Sequence, residues 1–65
     1  MLKLNKTQKK VCECLLLDMS NREMAAKLDL AYITIKMNIS KALRENNLKT
    51  RVGLALAYYK ELSEC

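Results

Sequence analysis

Lys36, Ser40, Lys41 and Arg44 recur at helical intervals and could bind an anionic partner together. At about 100° per helical residue, with Lys36 set at about 0°, these four and Met37 fall within about 140° of arc. The stripe carries three cations, one hydroxyl and one flexible apolar chain, and no acid. Glu45 lies outside it, at about 180°. Solvated helix faces usually mix both signs of charge, so a one-sign stripe suits a row of phosphates, with an ordinary solubilising face as the plain alternative. On the other side Tyr32, Ile35, Ile39, Ala42 and Leu43 fall between about 240° and 340°, an apolar stripe for a core.

No competing chemistry is evident. The chain has no His and a single Gly, Gly53, so it lacks a Gly-rich phosphate loop. It also lacks paired carboxylates on one face, and no enzyme is expected. Cys12 and Cys14 are two residues apart, which on a helix turns them about 200° from each other. They cannot converge on one ion, so neither metal nor cofactor is expected. These two and Cys65 read as small structural hydrophobes, with Cys65, at the terminus, open to oxidation between chains in vitro.

The elements that must position the stripe follow from pattern. Sixty-five residues make one domain, 1–65, and a chain this short buries only ~60% of its unfolded surface. One Gly, no Pro and three Tyr as the only aromatics point to helices joined by short turns. A first helix is expected over about 7–17, with Val11, Cys14 and Leu15 on a buried face that Leu16 and Leu17 widen. Leu4 is placed ahead of it as an anchor. Ser20 and Glu23 have capping-box spacing and start a second helix over 21–28. Its Met24, Ala25 and Leu28 share one face. Asp29, Leu30 and Ala31 form a three-residue corner before the third helix, about 32–45. Asn46 and Asn47 suit its end. A fourth helix over about 50–62 carries Val52, Ala55, Leu56, Tyr59 and Leu62, while Leu54 and Tyr58 add apolar surface at other angles. The surplus points to a subunit contact, or to a lid on the three-helix core.

Charge narrows the partner. Twelve Lys and Arg against seven Asp and Glu leave +5, which suits nucleic acid, an anionic membrane, or solubility alone. No apolar run approaches the ~20 residues of a membrane span. The lysines of residues 1–10 lack bulky apolar anchors for a membrane surface.

Taken together, the ordered motifs resemble the LuxR-type (GerE-like) helix-turn-helix domain. Its pattern runs L-T-x-R-E-x-E-V-L-x-L-x-A-x-G-x-S-N-[KR]-E-I-A-x-x-L, then S-x-x-T-V-K-x-H-x-x-x-I-x-x-K-L-x-V-x-x-R. Leu4 and Val11 match the first block, and Ser20, Asn21, Arg22, Glu23, Met24, Ala25 and Leu28 the second. Thr34, Ile35 and Lys36 match T-V-K, Ile39 and Leu43 fall on apolar positions, and Leu48 with Arg51 matches V-x-x-R. The match is ungapped from Leu4 to about Tyr59, and the ordered set carries it rather than any one piece. Departures are Gln8 and Lys10 at an acidic pair, which removes an ion-pair partner for Arg51, and Asp18 at the turn glycine, where the corner is expected to differ in backbone. Ala31 stands at the capping Ser, at a cost of about 1 kcal/mol. Asn38 replaces a His, Glu45 a Lys and Asn46 a Leu.

The resemblance implies an all-α, four-helix bundle-like helix-turn-helix domain. It implies a sequence-specific transcriptional regulator that binds double-stranded DNA as a homodimer, in the cytoplasm, nucleoid-associated, of bacterial or phage origin. The third helix would enter the major groove, with Lys36 reading bases or phosphate, Met37 meeting a thymine methyl and Ser40 either base class. Thr34, Asn21 and Arg22 would hold backbone phosphates, and Lys41 and Arg44 the groove wall. Val52, Leu56 and Tyr59 on the fourth helix would form the dimer contact. The initiator Met1 and the absence of a linker-like lead suggest a complete small protein. The second expectation is an interaction protein that pairs with a LuxR-type regulator and blocks or redirects it.

Overall fold

Three helices of this chain begin at a side chain that satisfies backbone groups left unpaired in the first turn. The computed structural model describes residues 1–64, so the expectation for Cys65 lies outside the described residues. Four helices follow one another: α1 (Lys6–Leu16), α2 (Asn21–Leu28), α3 (Tyr32–Glu45) and α4 (Arg51–Ser63). All the described secondary structure is helical.

α1 begins earlier than its apolar pattern suggests because Asn5 and Gln8 form a capping box. The Gln8 N–H donates to Asn5 Oδ1 at 2.7 Å, and the Asn5 N–H donates to Gln8 Oε1 at 2.9 Å. α2 starts with the expected box: the Glu23 N–H donates to Ser20 Oγ at 3.2 Å and the Ser20 N–H to Glu23 Oε1 at 2.8 Å. The bond from the Ser20 N–H, with the Ser20 hydroxyl beside it, holds the Glu23 carboxyl below its ordinary value. The Gly53 N–H donates to Thr50 Oγ1 at 3.1 Å and caps α4. α3 alone begins without a side-chain cap, at Ala31.

Three helices stop the same way. Asp18, Asp29 and Asn47 take φ of 58°, 55° and 55°, the left-handed conformation that turns a chain out of a helix. Behind them the N–H groups of Met19, Leu30 and Leu48 reach back to the carbonyls of Cys14, Ala25 and Leu43 at 3.2, 3.0 and 2.8 Å. Asp and Asn tolerate this backbone better than other residues with a Cβ. Asp18 therefore takes the backbone a glycine would take, and the expected difference at this corner is not found.

Two apolar clusters share α1. Val11 and Cys14 join Met24, Ile35 and Ile39 in one. Cys12 joins Ala42, Leu54 and Tyr58 in the other, with Leu2, Leu4 and Leu48 packed against it. The turn between Cys12 and Cys14 thus sends one thiol into each cluster, and both are free and buried. Burial, with Glu13 next to it, pushes the Cys12 thiol up to about 11, so it stays protonated and behaves as a hydrophobe. Met24, Ile35 and Leu54 are fully buried, each contributing about 1.5–3 kcal/mol relative to exposure.

Two expectations about the core are corrected. Leu16 and Leu17 do not widen the buried face: they are 39% and 65% exposed at the C-terminal end of α1. Tyr32 does not join the core stripe, being 48% exposed at the first turn of α3. On α4 it is Leu54 and Tyr58 that face inward, while Val52, Leu56 and Tyr59 face out. Tyr58 Oη donates to Glu13 Oε2 at 3.4 Å, which ties α4 to α1.

The N-terminal arm is pinned by Asn46, at the end of α3. Its Oδ1 accepts from the Lys3 N–H at 2.6 Å and its Nδ2 donates to the Lys3 carbonyl at 3.1 Å. The Leu2 N–H donates to Glu61 Oε1 at 3.1 Å. An apolar side chain at Asn46 would lose this clamp.

Candidate nucleic-acid interface

The α2–turn–α3 unit presents one long exposed helix face. Met24 anchors α2 and Ile35, Ile39 and Ala42 anchor α3, all buried. That burial fixes which side of α3 points away from the core. Lys36, Met37, Ser40, Lys41 and Arg44 lie exposed on that side and line one shallow depression together with Ile33 and Asn38. The depression's lining has three cations and no acid.

Thr34, Asn21 and Arg22 are placed differently. Thr34 is half-buried, and its carbonyl accepts from Asn38 Nδ2 at 2.8 Å. Asn38 therefore turns its amide back on its own helix. Asn21, also half-buried, has its Oδ1 occupied by Arg51 Nη1 at 2.9 Å. Its amide N–H groups are what it has left to offer an anion. Arg22 is exposed and lines a separate depression with Ala25 and Tyr32.

Two exposed residues of the first turn of α3 lay outside the expected site. Ile33, 58% exposed, sits at about 60° on the angular scale that places Lys36 at about 0°. That angle is on the outward face, but a stripe picked out by its charge left an apolar residue aside. Tyr32 holds the Lys36 ammonium over its ring, 5.8 Å from the centroid. A cation–π contact of this kind at an exposed site contributes about 0.5–1 kcal/mol and biases where the Lys36 side chain lies.

A second surface runs along the outside of α4. Val52, Leu56, Tyr59 and Leu62 are 64%, 64%, 61% and 50% exposed. Val52, Leu56 and Tyr59 continue into Leu16 and Met19 around one shallow depression. α4 is therefore apolar on both sides, one packed on α1 and one open.

Among the described residues no group of three or more His, Cys, Asp or Glu is placed to hold a metal ion. No helix of the described residues is long and apolar enough to cross a membrane. No protein-family model, curated protein or solved structure matches the chain.

Proposed function

We propose that this chain is a sequence-specific DNA-binding transcriptional regulator of the LuxR-type (GerE-like) helix-turn-helix kind, acting as a dimer. The observation that carries the proposal is the outward face of α3, where Lys36, Lys41 and Arg44 surround Ile33, Met37 and Ser40 without an acid. A helix fits the major groove, about 12 Å wide, and a face of this composition offers cations to the phosphates and short or apolar groups to the bases. The three-residue turn between α2 and α3 supports the same reading, because it has the length of a helix-turn-helix corner.

In this account Lys36, Met37 and Ser40 face the bases, while Lys41 and Arg44 hold phosphates. Thr34, Asn21 and Arg22 extend the phosphate contacts from the helix starts. Val52, Leu56 and Tyr59 pair with a second copy, with Leu16 beside them. One copy makes too few phosphate contacts for tight binding at physiological salt, so pairing is part of the function. The setting is the nucleoid of a bacterial or phage-infected cytoplasm. Lys36→Ala tests the proposal: titrated against a selected and a random duplex, it should lose discrimination as well as affinity. An unchanged ratio between the two duplexes removes Lys36 from base reading.

The open apolar face of α4 favours a second reading in one respect. It would equally receive a LuxR-type regulator, making this chain an interaction protein that blocks or redirects it. Mass measurement of the chain alone and mixed with such a regulator separates the two. Heterodimers without DNA retention select the interaction protein.

A further inference from the structure

The centre of the outward face of α3 is apolar. Ile33 and Met37 are 58% and 64% exposed and four residues apart, so their side chains are neighbours. They lie at about 60° and 100°, with Ser40 at about 40° and Arg44 at about 80°. Lys36 and Lys41 border the group at about 0° and 140°. The Lys36 ammonium leans over Tyr32, which at about 320° is on the side away from Ile33 and Met37.

An apolar pair bordered by cations selects its occupant by charge. A second copy of the same face would set like charges against each other, which is unfavourable at an interface. Duplex DNA has the complementary layout. Phosphates run along both walls of the major groove, and the thymine 5-methyl is the apolar group presented on its floor. We propose that Ile33 and Met37 together are a specificity-determining pair that reads thymine 5-methyl groups, flanked by Lys36 and by the phosphate-holding Lys41. The proposal rests on the DNA-binding function above. It brings Ile33 into the site beside Met37.

The test replaces thymidine by deoxyuridine, which removes the methyl and leaves the hydrogen-bonding edge intact. Duplexes that the chain recovers from a random pool are remade with deoxyuridine at one position at a time. At the contacted positions binding should weaken about fourfold per methyl, the value of one buried methyl or methylene. Ile33→Ala and Met37→Ala should each abolish that sensitivity at their own position while the helical circular dichroism stays unchanged. Both side chains are exposed, so neither variant removes core packing. Deoxyuridine without effect anywhere, in duplexes the wild type still binds, overturns the methyl-reading pair and leaves the DNA-binding function standing. Sensitivity that survives in the double variant overturns it equally. Recovery of no duplex overturns both.

Discussion

Arg51, in the first turn of α4, donates from Nη1 to the Asn21 side-chain oxygen at 2.9 Å, and from Nη2 to the Met19 carbonyl at 3.3 Å. The first of these contacts spans 30 residues of sequence and fastens the start of α4 to the start of α2. The helix with the open apolar face is thereby held in register with the unit that carries α3. An acid in α1 is not needed for Arg51 to find a partner.

Arg51→Ala should therefore lower stability by about 1.5–3 kcal/mol, the usual range for hydrogen bonds to a charged group. In a chain of this size that corresponds to a fall in Tm of about 4–8 °C for each kcal/mol. A double-mutant cycle with Asn21→Ala should give a coupling energy of at least about 0.5 kcal/mol. Additive effects would show that the contact does not hold the two helices.

Turn residues give the opposite sign. Asp18→Gly relieves a left-handed residue with a Cβ and should raise stability by up to about 1 kcal/mol, whereas Asp18→Ala should lower it. Ala31→Ser supplies the cap that α3 lacks and should add about 0.5–2 kcal/mol. Thermal unfolding of the three variants checks all of this at once. A destabilised Ala31→Ser would mean that α3 starts elsewhere.

Glu23 links the α2 cap to pH. Its carboxyl is held below the ordinary value of 4.5, chiefly by the hydrogen bond from the Ser20 backbone N–H. A group depressed in the folded state contributes stability that is fully present above its unfolded value and is lost as pH falls through its folded value. The loss should therefore appear below pH 4.5, and Glu23→Gln should flatten that part of the Tm–pH curve. Parallel curves for the two proteins would contradict the cap's role.

Leu56 is the centre of the open face of α4. Leu56→Glu places a charge there without touching the packed face formed by Leu54 and Tyr58, so helicity and Tm should change little. In sedimentation the wild type should dimerise and Leu56→Glu should remain a monomer. A wild type that stays monomeric at high concentration, with and without duplex, would remove the dimer from the account.

How much of this was legible in the sequence depended on contrast. The start of α2 was readable because Ser20 and Glu23 name both ends of one cap. The inner and outer faces of α3 were readable because apolar and cationic residues alternate with helical spacing. α4 offered no such contrast: Leu54 and Tyr58 on one side and Val52, Leu56 and Tyr59 on the other are equally apolar, so periodicity could not say which side packs. Cys12 is buried under Ala42 of α3 and Leu54 and Tyr58 of α4, contacts that no local pattern encodes. The Asn5–Gln8 box was available at the same spacing as the second box, but a lysine-rich stretch without an apolar face obscured it. Within the site, the cations stood out by sign, whereas the engagement of Asn21 depends on Arg51 far along the chain.

Selection of bound duplexes from a random pool, at two salt concentrations, tests the central claim most directly. The account predicts a recovered motif with two half-sites about one DNA turn, ~34 Å, apart. It also predicts affinity that falls steeply with salt, by about 0.9 in log–log slope for each phosphate neutralised. A pool that emerges unenriched at both salt concentrations would contradict it.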